Sequence, residues 1–423
     1  MRTDRLHFFF LNVGHFLDHL FMLIFATAAA LVLAGQWGLT YAELIPYATP
    51  GFVAFGLFSL PAGWLADRFG RELMMAIFFV GIGIATMATA LATTPIEMAI
   101  GLFVVGVFAA IYHPVGLAMV VAERSGIGMS IAVNGVWGNL GVGSAALLTG
   151  ALIDVGSWQA AFVIPGAISV LLGVAYIALF RQRIARRPDR SPKQSTSRAA
   201  GDKTRSPDQL AFRALLIRLV IIIFFTTAVG SIIFQSTTFA LPKVFDERLG
   251  GIAVSSTMIG WLAFIVFAVA SLAQVAVGFS LDRFGPRNVF LVVAAIQAVF
   301  FAIMPGQTDA WALAIALVFM VGAFGQIPIN DYMIGRTAKS ELRASIYGAR
   351  YVVTFTVLAA ALPLIAWVHA NWGFDALFRI LSIGGCLLFL AVLLLPKRLP
   401  DAEAVAAQAI TAQDVRNSAS ARA

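Results

Sequence analysis

Four polar side chains interrupt the first long apolar run of the sequence: Asn12, His15, Asp18 and His19. On a helix advancing about 100° per residue they fall within an arc of about 120°. One face of an otherwise apolar helix is therefore polar. His15 and Asp18 stand three residues apart, a spacing that lets an imidazole meet a carboxylate. A histidine so placed changes charge near neutral pH and is suited to carrying a proton; the alternative is a structural pair tying this helix to a neighbour. His113 precedes Pro114 in a later apolar run. Proline removes a backbone hydrogen bond and bends a helix. The bend either tilts His113 toward a cavity or frees a carbonyl that satisfies it. Asn139 sits among glycines in the next run, and Gln235, Gln326, Asn330, Asp331 and Arg350 interrupt later ones. Tyr347, Arg350, Tyr351 and Thr354 share one i, i+3, i+4, i+7 face. Arg350 either faces a cavity, pairing with Asp331 at similar depth, or snorkels to the headgroups. An anionic ligand would find its contact in Arg350.

Such groups need explaining because of the elements that hold them. Of 423 residues, 60% are hydrophobic and 12% charged, against roughly 25% charged in a soluble domain. Too few charges remain to coat a soluble enzyme, and the apolar content excludes a disordered chain. Continuous apolar runs, rather than short alternating segments, exclude a β-barrel. The reading is an all-α polytopic membrane protein. Twelve transmembrane spans can be marked, at 8–34, 43–65, 73–92, 96–121, 130–153, 159–180, 213–240, 255–279, 288–304, 310–335, 345–368 and 376–395. Each is roughly as long as the ~30 Å hydrocarbon core requires. An ionisable group at that depth costs at least about 2.5–3.5 kcal/mol, so each one asks for a function or a partner.

With 29 Lys and Arg against 21 Asp and Glu, the net charge is +8. These charges orient the helices rather than bind nucleic acid. Alternate loops hold Arg68, Arg71, Arg124, Arg283, Arg287, Arg336, Lys339 and Arg343, whereas the opposite loops hold only Lys243 and Arg248, with Arg379 near a helix end. That bias places both termini in the cytoplasm of a cell, expected to be bacterial, with the protein in its inner membrane. Cys386 is the single cysteine, so no intramolecular disulfide or zinc–thiolate cluster is available. The N-terminal run is read as a retained membrane helix without a cleavage site. Residues 181–212 form a basic, Pro/Ser-rich cytoplasmic linker suited to an anionic leaflet. Residues 399–423 read as a disordered cytoplasmic tail.

The linker separates residues 1–180 from 213–398, and the two parts echo each other. Gly63-Trp-Leu-Ala-Asp67-Arg68-Phe69-Gly70-Arg71 recurs as Gly278-Phe-Ser-Leu-Asp282-Arg283-Phe284-Gly285, an offset of 215 that also maps Ser130-Ile131 onto Ser345-Ile346. Duplication predicts two pseudo-symmetric six-helix bundles with a cavity between them.

The G-x-x-x-D-R-F-G-R loop, its second copy and the 6+6 arrangement resemble the major facilitator superfamily across residues 8–395. Tyr112-His113-Pro114, Gly138-Asn139-Leu140-Gly141 and His15-Phe16-Leu17-Asp18 look similar to its fosmidomycin-resistance branch. The chain departs from that branch at Val115, Leu102 and Asn139. The resemblance implies a secondary transporter working by alternating access. It implies a conformational latch at Gly63, Asp67, Arg68, Gly70 and Arg71, with Asp282 and Arg283 as counterparts. In that latch Asp67 faces span 11 in the outward-open state.

The expected function is proton-coupled efflux of a small molecule, with His15, Asp18, His19, His113, Asn139, Gln235, Asn330, Asp331 and Arg350 around a substrate and proton cavity. The alternatives are uptake of an organic acid, sugar or similar solute, and a non-transporting receptor on the same fold. No phosphate loop of the G-x-x-x-x-G-K-[ST] type occurs, so ATP drive is unsupported. The reading includes no enzyme, no cofactor and no nucleic-acid partner, and a monomer. It also includes no metal, because His15, His19 and His113 lack clearly spaced co-ligands.

Overall fold

The computed structural model describes residues 2–122, 127–185, 207–337 and 340–396. Among the described residues there is no strand. The principal helices are α1 (Arg2–Ala28), α2 (Thr49–Phe69), α3 (Arg71–Thr89), α4 (Pro95–Ala109), α5 (Ile127–Val155), α6 (Trp158–Ile184), α7 (Pro207–Arg248), α8 (Ser256–Phe284), α9 (Pro286–Ile303), α10 (Asp309–Gly325) and α11 (Ser340–Leu393). Eleven described helices are long and apolar enough to cross a membrane. The sequence separates twelve spans; the difference lies in α11, which carries both 345–368 and 376–395. A single residue, Gly373 at φ +70, interrupts it.

Residues 181–184, read as linker, are the last turn of α6, where Arg181 and Arg183 face the negative end of the helix dipole. Charge ends the apolar run there without ending the helix. Likewise α7 begins at Pro207, before the expected 213. Residues 186–206 and the tail from 397 onward, with Arg124, Lys339, Lys397 and Arg398, lie outside the described residues.

The repeated loops fold alike. Gly70 and Gly285 cap α2 and α8 at φ +107 and φ +76, backbone that a Cβ resists. The turns are thus glycine-dependent at equivalent positions. At the other end of the bundle, Thr94 and Glu97 form a reciprocal capping box with Pro95 at the first position of α4.

Small residues let the helices approach. A Cβ on Gly83 of α3 would lie 2.5 Å from the Gly166 carbonyl of α6. A Cβ on Gly141 of α5 would collide with the Phe16 carbonyl of α1. Between the halves, one on Gly260 of α8 would lie 2.5 Å from the Ala146 carbonyl of α5. The halves also touch at the end opposite the Gly70 turn. There Asp154 Oδ2 accepts from the Thr257 N–H at 2.6 Å, and the Tyr41 ring stands edge-on to His369, centroids 5.5 Å apart.

Candidate functional site

A cavity of about 290 Å³ lies between the halves. His15, His19, His113, Asn139, Gln235, Asn330, Asp331 and Arg350 all line it.

On the first-half wall, His15 Nδ1 lies 2.8 Å from the Asn134 carbonyl oxygen. A carbonyl only accepts, so Nδ1 carries the proton and Nε2 presents its lone pair. His19 Nε2 stands 3.2 Å from that atom. Tyr112 holds this arrangement from behind. Its ring stacks on His15 at 4.8 Å and 18°. Its hydroxyl donates to the Leu11 carbonyl at 2.7 Å and accepts from Asn134 Nδ2 at 2.9 Å. Asn134 Nδ2 also reaches Asn12 Oδ1 at 3.0 Å. The ring fits because Gly14 and Gly116 have no side chains; a Cβ on either would lie 3.0 Å or 2.8 Å from it. Gly138 does the same for His15, where a Cβ would lie 2.6 Å from Nε2.

Tyr112–Gly116 is a π turn, the widened turn expected where Pro114 cannot donate. It swings His113 into the cavity wall. His113 Nδ1 has no hydrogen-bond partner among the described residues, so the freed-carbonyl alternative is not what is seen. Its Nε2 lies 3.5 Å from Asp18 Oδ2.

Asp18 departs from expectation. It does not line the cavity, and it is fully buried. The i,i+3 spacing permits a bond to His15, but the Asn134 carbonyl takes His15 Nδ1, and Asp18 faces His113 instead. The polar face of α1 therefore serves packing against the Tyr112–Gly116 π turn and α5 as well as the cavity.

Removal of the Tyr112 hydroxyl tests this scaffold. Tyr112→Phe leaves buried groups without a partner and is expected to cost about 1–3 kcal/mol. The thermal midpoint of the detergent-purified protein reads it; a wild-type midpoint would show that the hydroxyl positions nothing.

On the second-half wall, Arg350 is buried. It pairs with Asp331, and its Nε donates to Thr227 Oγ1 at 3.3 Å. The guanidinium faces the cavity rather than the helix end. Asn330 Oδ1 accepts from Thr226 Oγ1 at 3.0 Å. Gln326 Nε2 donates to the Thr226 carbonyl at 3.1 Å and its Oε1 accepts from Gln297 at 3.0 Å. Gln235 Nε2 and Gln274 Nε2 have no hydrogen-bond partner among the described residues. Aromatic faces complete the lining: Phe55 and Phe355 at 4.7 Å, and Tyr351 stacked on Phe355 at 6.0 Å. The cavity thus offers imidazoles, one guanidinium, free amide donors and flat apolar surfaces.

Gln274, Thr227, Phe55 and Phe355, which line the cavity, and Tyr112 and Asn134, which brace it from behind, are not marked out by the sequence as cavity residues. Gln274 carries the same signal as Gln235, a polar residue in an apolar run. Asn134 acts partly through its carbonyl, which no side-chain pattern reveals. The Tyr347 side chain lies outside the described ones.

The residues of the repeated loops stand away from the cavity. Asp67, Arg68, Arg71, Asp282 and Arg283 are exposed. Arg68 lies 5.4 Å over Trp64, and Arg283 lies 5.4 Å over Phe284. Gly63 approaches Pro114. Asp67 makes no hydrogen bond or ion pair with a described residue.

A family model of the Major Facilitator Superfamily matches residues 11–252 and 249–419. The 4-hydroxybenzoate transporter PcaK of Pseudomonas aeruginosa is 24% identical over 395 residues, covering 86% of each chain. The methylenomycin A resistance protein of Bacillus subtilis is 26% identical over 156 residues, covering 35% of this chain and 32% of that one. Among solved structures, a D-xylose–proton symporter superposes with a TM-score of 0.68 at 14% identity, covering 93% and 98%.

Proposed function

This chain belongs to the major facilitator superfamily, and we propose that it carries a small organic anion, foremost an aromatic carboxylate. The family is one of membrane transporters, and the 4-hydroxybenzoate relative and the D-xylose–proton symporter are named as such. The observation that carries the anion reading is Arg350, a buried guanidinium on the wall of a cavity that also presents aromatic faces. A guanidinium matches a carboxylate, and Phe355 and Tyr351 offer a ring its stacking surface. At about 290 Å³ the cavity sits at the lower end of the roughly 300–1,000 Å³ range of small-ligand sites, which favours a metabolite over a peptide. The transport of 4-hydroxybenzoate by a relative points the same way.

In this reading the six-helix units 1–180 and 213–398 rock about the cavity, twelve spans in all. The Gly70 turn and both termini face the cytoplasm, and the membrane is the bacterial inner one. The contacts of Tyr41 with His369 and of Asp154 with Thr257 then close the outer side. The solvent-facing Asp67 fits a latch released in an inward-facing state. Asp67→Asn is accordingly expected to leave this state intact and to lower the outward-open population. Labelling of single cysteines placed on the outer path reads that shift; wild-type labelling would remove Asp67 from the latch.

The drive taken for the cycle is a proton gradient, as in the D-xylose–proton symporter of similar fold. Reconstitution into proteoliposomes tests the whole reading. Labelled 4-hydroxybenzoate is expected to exchange in counterflow, and an imposed pH gradient to accumulate it. A receptor would bind without exchange.

Import is the first reading, for an organic acid of the kind the relative carries. Export is the second reading, supported by the similarity to a resistance protein and by the motifs that resemble the fosmidomycin-resistance branch. Comparing uptake in inside-out and right-side-out vesicles separates the two.

A further inference from the structure

We propose that His15, His19 and His113 form a site for one borderline divalent cation of the Zn²⁺ class, with its remaining position open to the cavity. One ligand atom from each lies within 4.8 Å of the others. Two are already close to a coordinating geometry: His15 Nε2 and His19 Nε2 are 3.2 Å apart. Zinc–nitrogen bonds of about 2.0–2.1 Å in a tetrahedron set ligand atoms about 3.3 Å apart.

The proton positions suit this. The Asn134 carbonyl fixes the His15 proton on Nδ1 and leaves the Nε2 lone pair facing His19. His19 Nε2–H fills that lone pair in the empty site. A cation replaces this hydrogen bond when the His19 proton moves to its own Nδ1, so no proton need leave the protein. His113 rides on the π turn, and its buried Nδ1 has no partner. Asp18, 3.5 Å from His113 Nε2, is placed as the carboxyl group that orients a ligating histidine.

Imidazole ligands select Zn²⁺, Ni²⁺ or Cu²⁺ over Mg²⁺ and Ca²⁺, which require oxygen. Arg350 across the cavity does not oppose the ion strongly, because Asp331 pairs with it. The site goes beyond the transport reading and does not depend on it.

The test uses tag-free, detergent-purified protein and the metal alone. Calorimetric titration is expected to show one Zn²⁺ per chain and no response to Mg²⁺. Co²⁺ is expected to give the intense visible absorption of a four-coordinate ion. His19→Gln should weaken Zn²⁺ binding by roughly 100-fold, on the scale by which ligand-shell changes act. The proposal is overturned if wild type binds Zn²⁺ no better than His19→Gln, or if Co²⁺ shows only the weak bands of a six-coordinate ion. Should His19→Gln not purify, His113→Gln and the wild-type Co²⁺ spectrum decide. Counterflow measured without metal stands apart: wild-type protein that exchanges in counterflow but binds no Zn²⁺ rejects this inference alone.

Discussion

Arg350→Gln is expected to lower 4-hydroxybenzoate counterflow more than about 100-fold, corresponding to roughly 3 kcal/mol. The magnitude follows from burial. A carboxylate entering the cavity sheds water, and Arg350 is the one Lys or Arg among the described lining residues, so glutamine leaves it without that counter-charge. The fold is expected to survive, because the Asp331 side chain is 42% exposed and water already reaches its carboxylate. Arg350→Lys keeps the charge but loses the two-pronged geometry and the reach to Thr227, so it should recover only part of the rate. A glutamine variant exchanging the probe at the wild-type rate would transfer the anion to another residue.

The second large effect concerns assembly. Gly141→Ala places a methyl group against the Phe16 carbonyl of α1. A backbone atom has no rotamer to yield, so α1 and α5 must part, and His15 loses the Asn134 carbonyl. The cost is expected at the upper end of the roughly 1–3 kcal/mol of overpacking. Gly135, on the same helix, has nothing within 4 Å of its would-be Cβ, and Gly135→Ala should melt like wild type. Fluorescence-detected size-exclusion after heating compares the pair; equal midpoints would show that close α1–α5 contact is dispensable.

Apolar run length revealed the helical membrane architecture, because lipid leaves a spanning backbone no other partner than itself. The repeated loop was equally legible: Gly70 and Gly285 take the same unusual backbone at equivalent places. Helix ends were less so, since Arg181 and Arg183 close an apolar run while stabilising the helix that continues through them. Within the site, polar interruptions of apolar runs located Arg350, Gln235, His15 and His19. Partnerships were harder. Asp18 had two candidates, a near one at i+3 and a distant one brought by the π turn at Pro114, and local spacing favours the near one. Phe55 and Phe355 were hidden among 35 phenylalanines, where only three-dimensional placement separates lipid-facing rings from cavity-facing ones.

All three imidazoles belong to one half and Arg350 to the other. In the proposed cycle each half turns as a body, so only a molecule that grips both walls at once would gain free energy as they come together. A fragment long enough for Arg350 but too short for the opposite wall would sit in the chamber without helping it shut. Occupancy and passage are thereby separate demands: truncated analogues of the true cargo should behave as plugs rather than passengers.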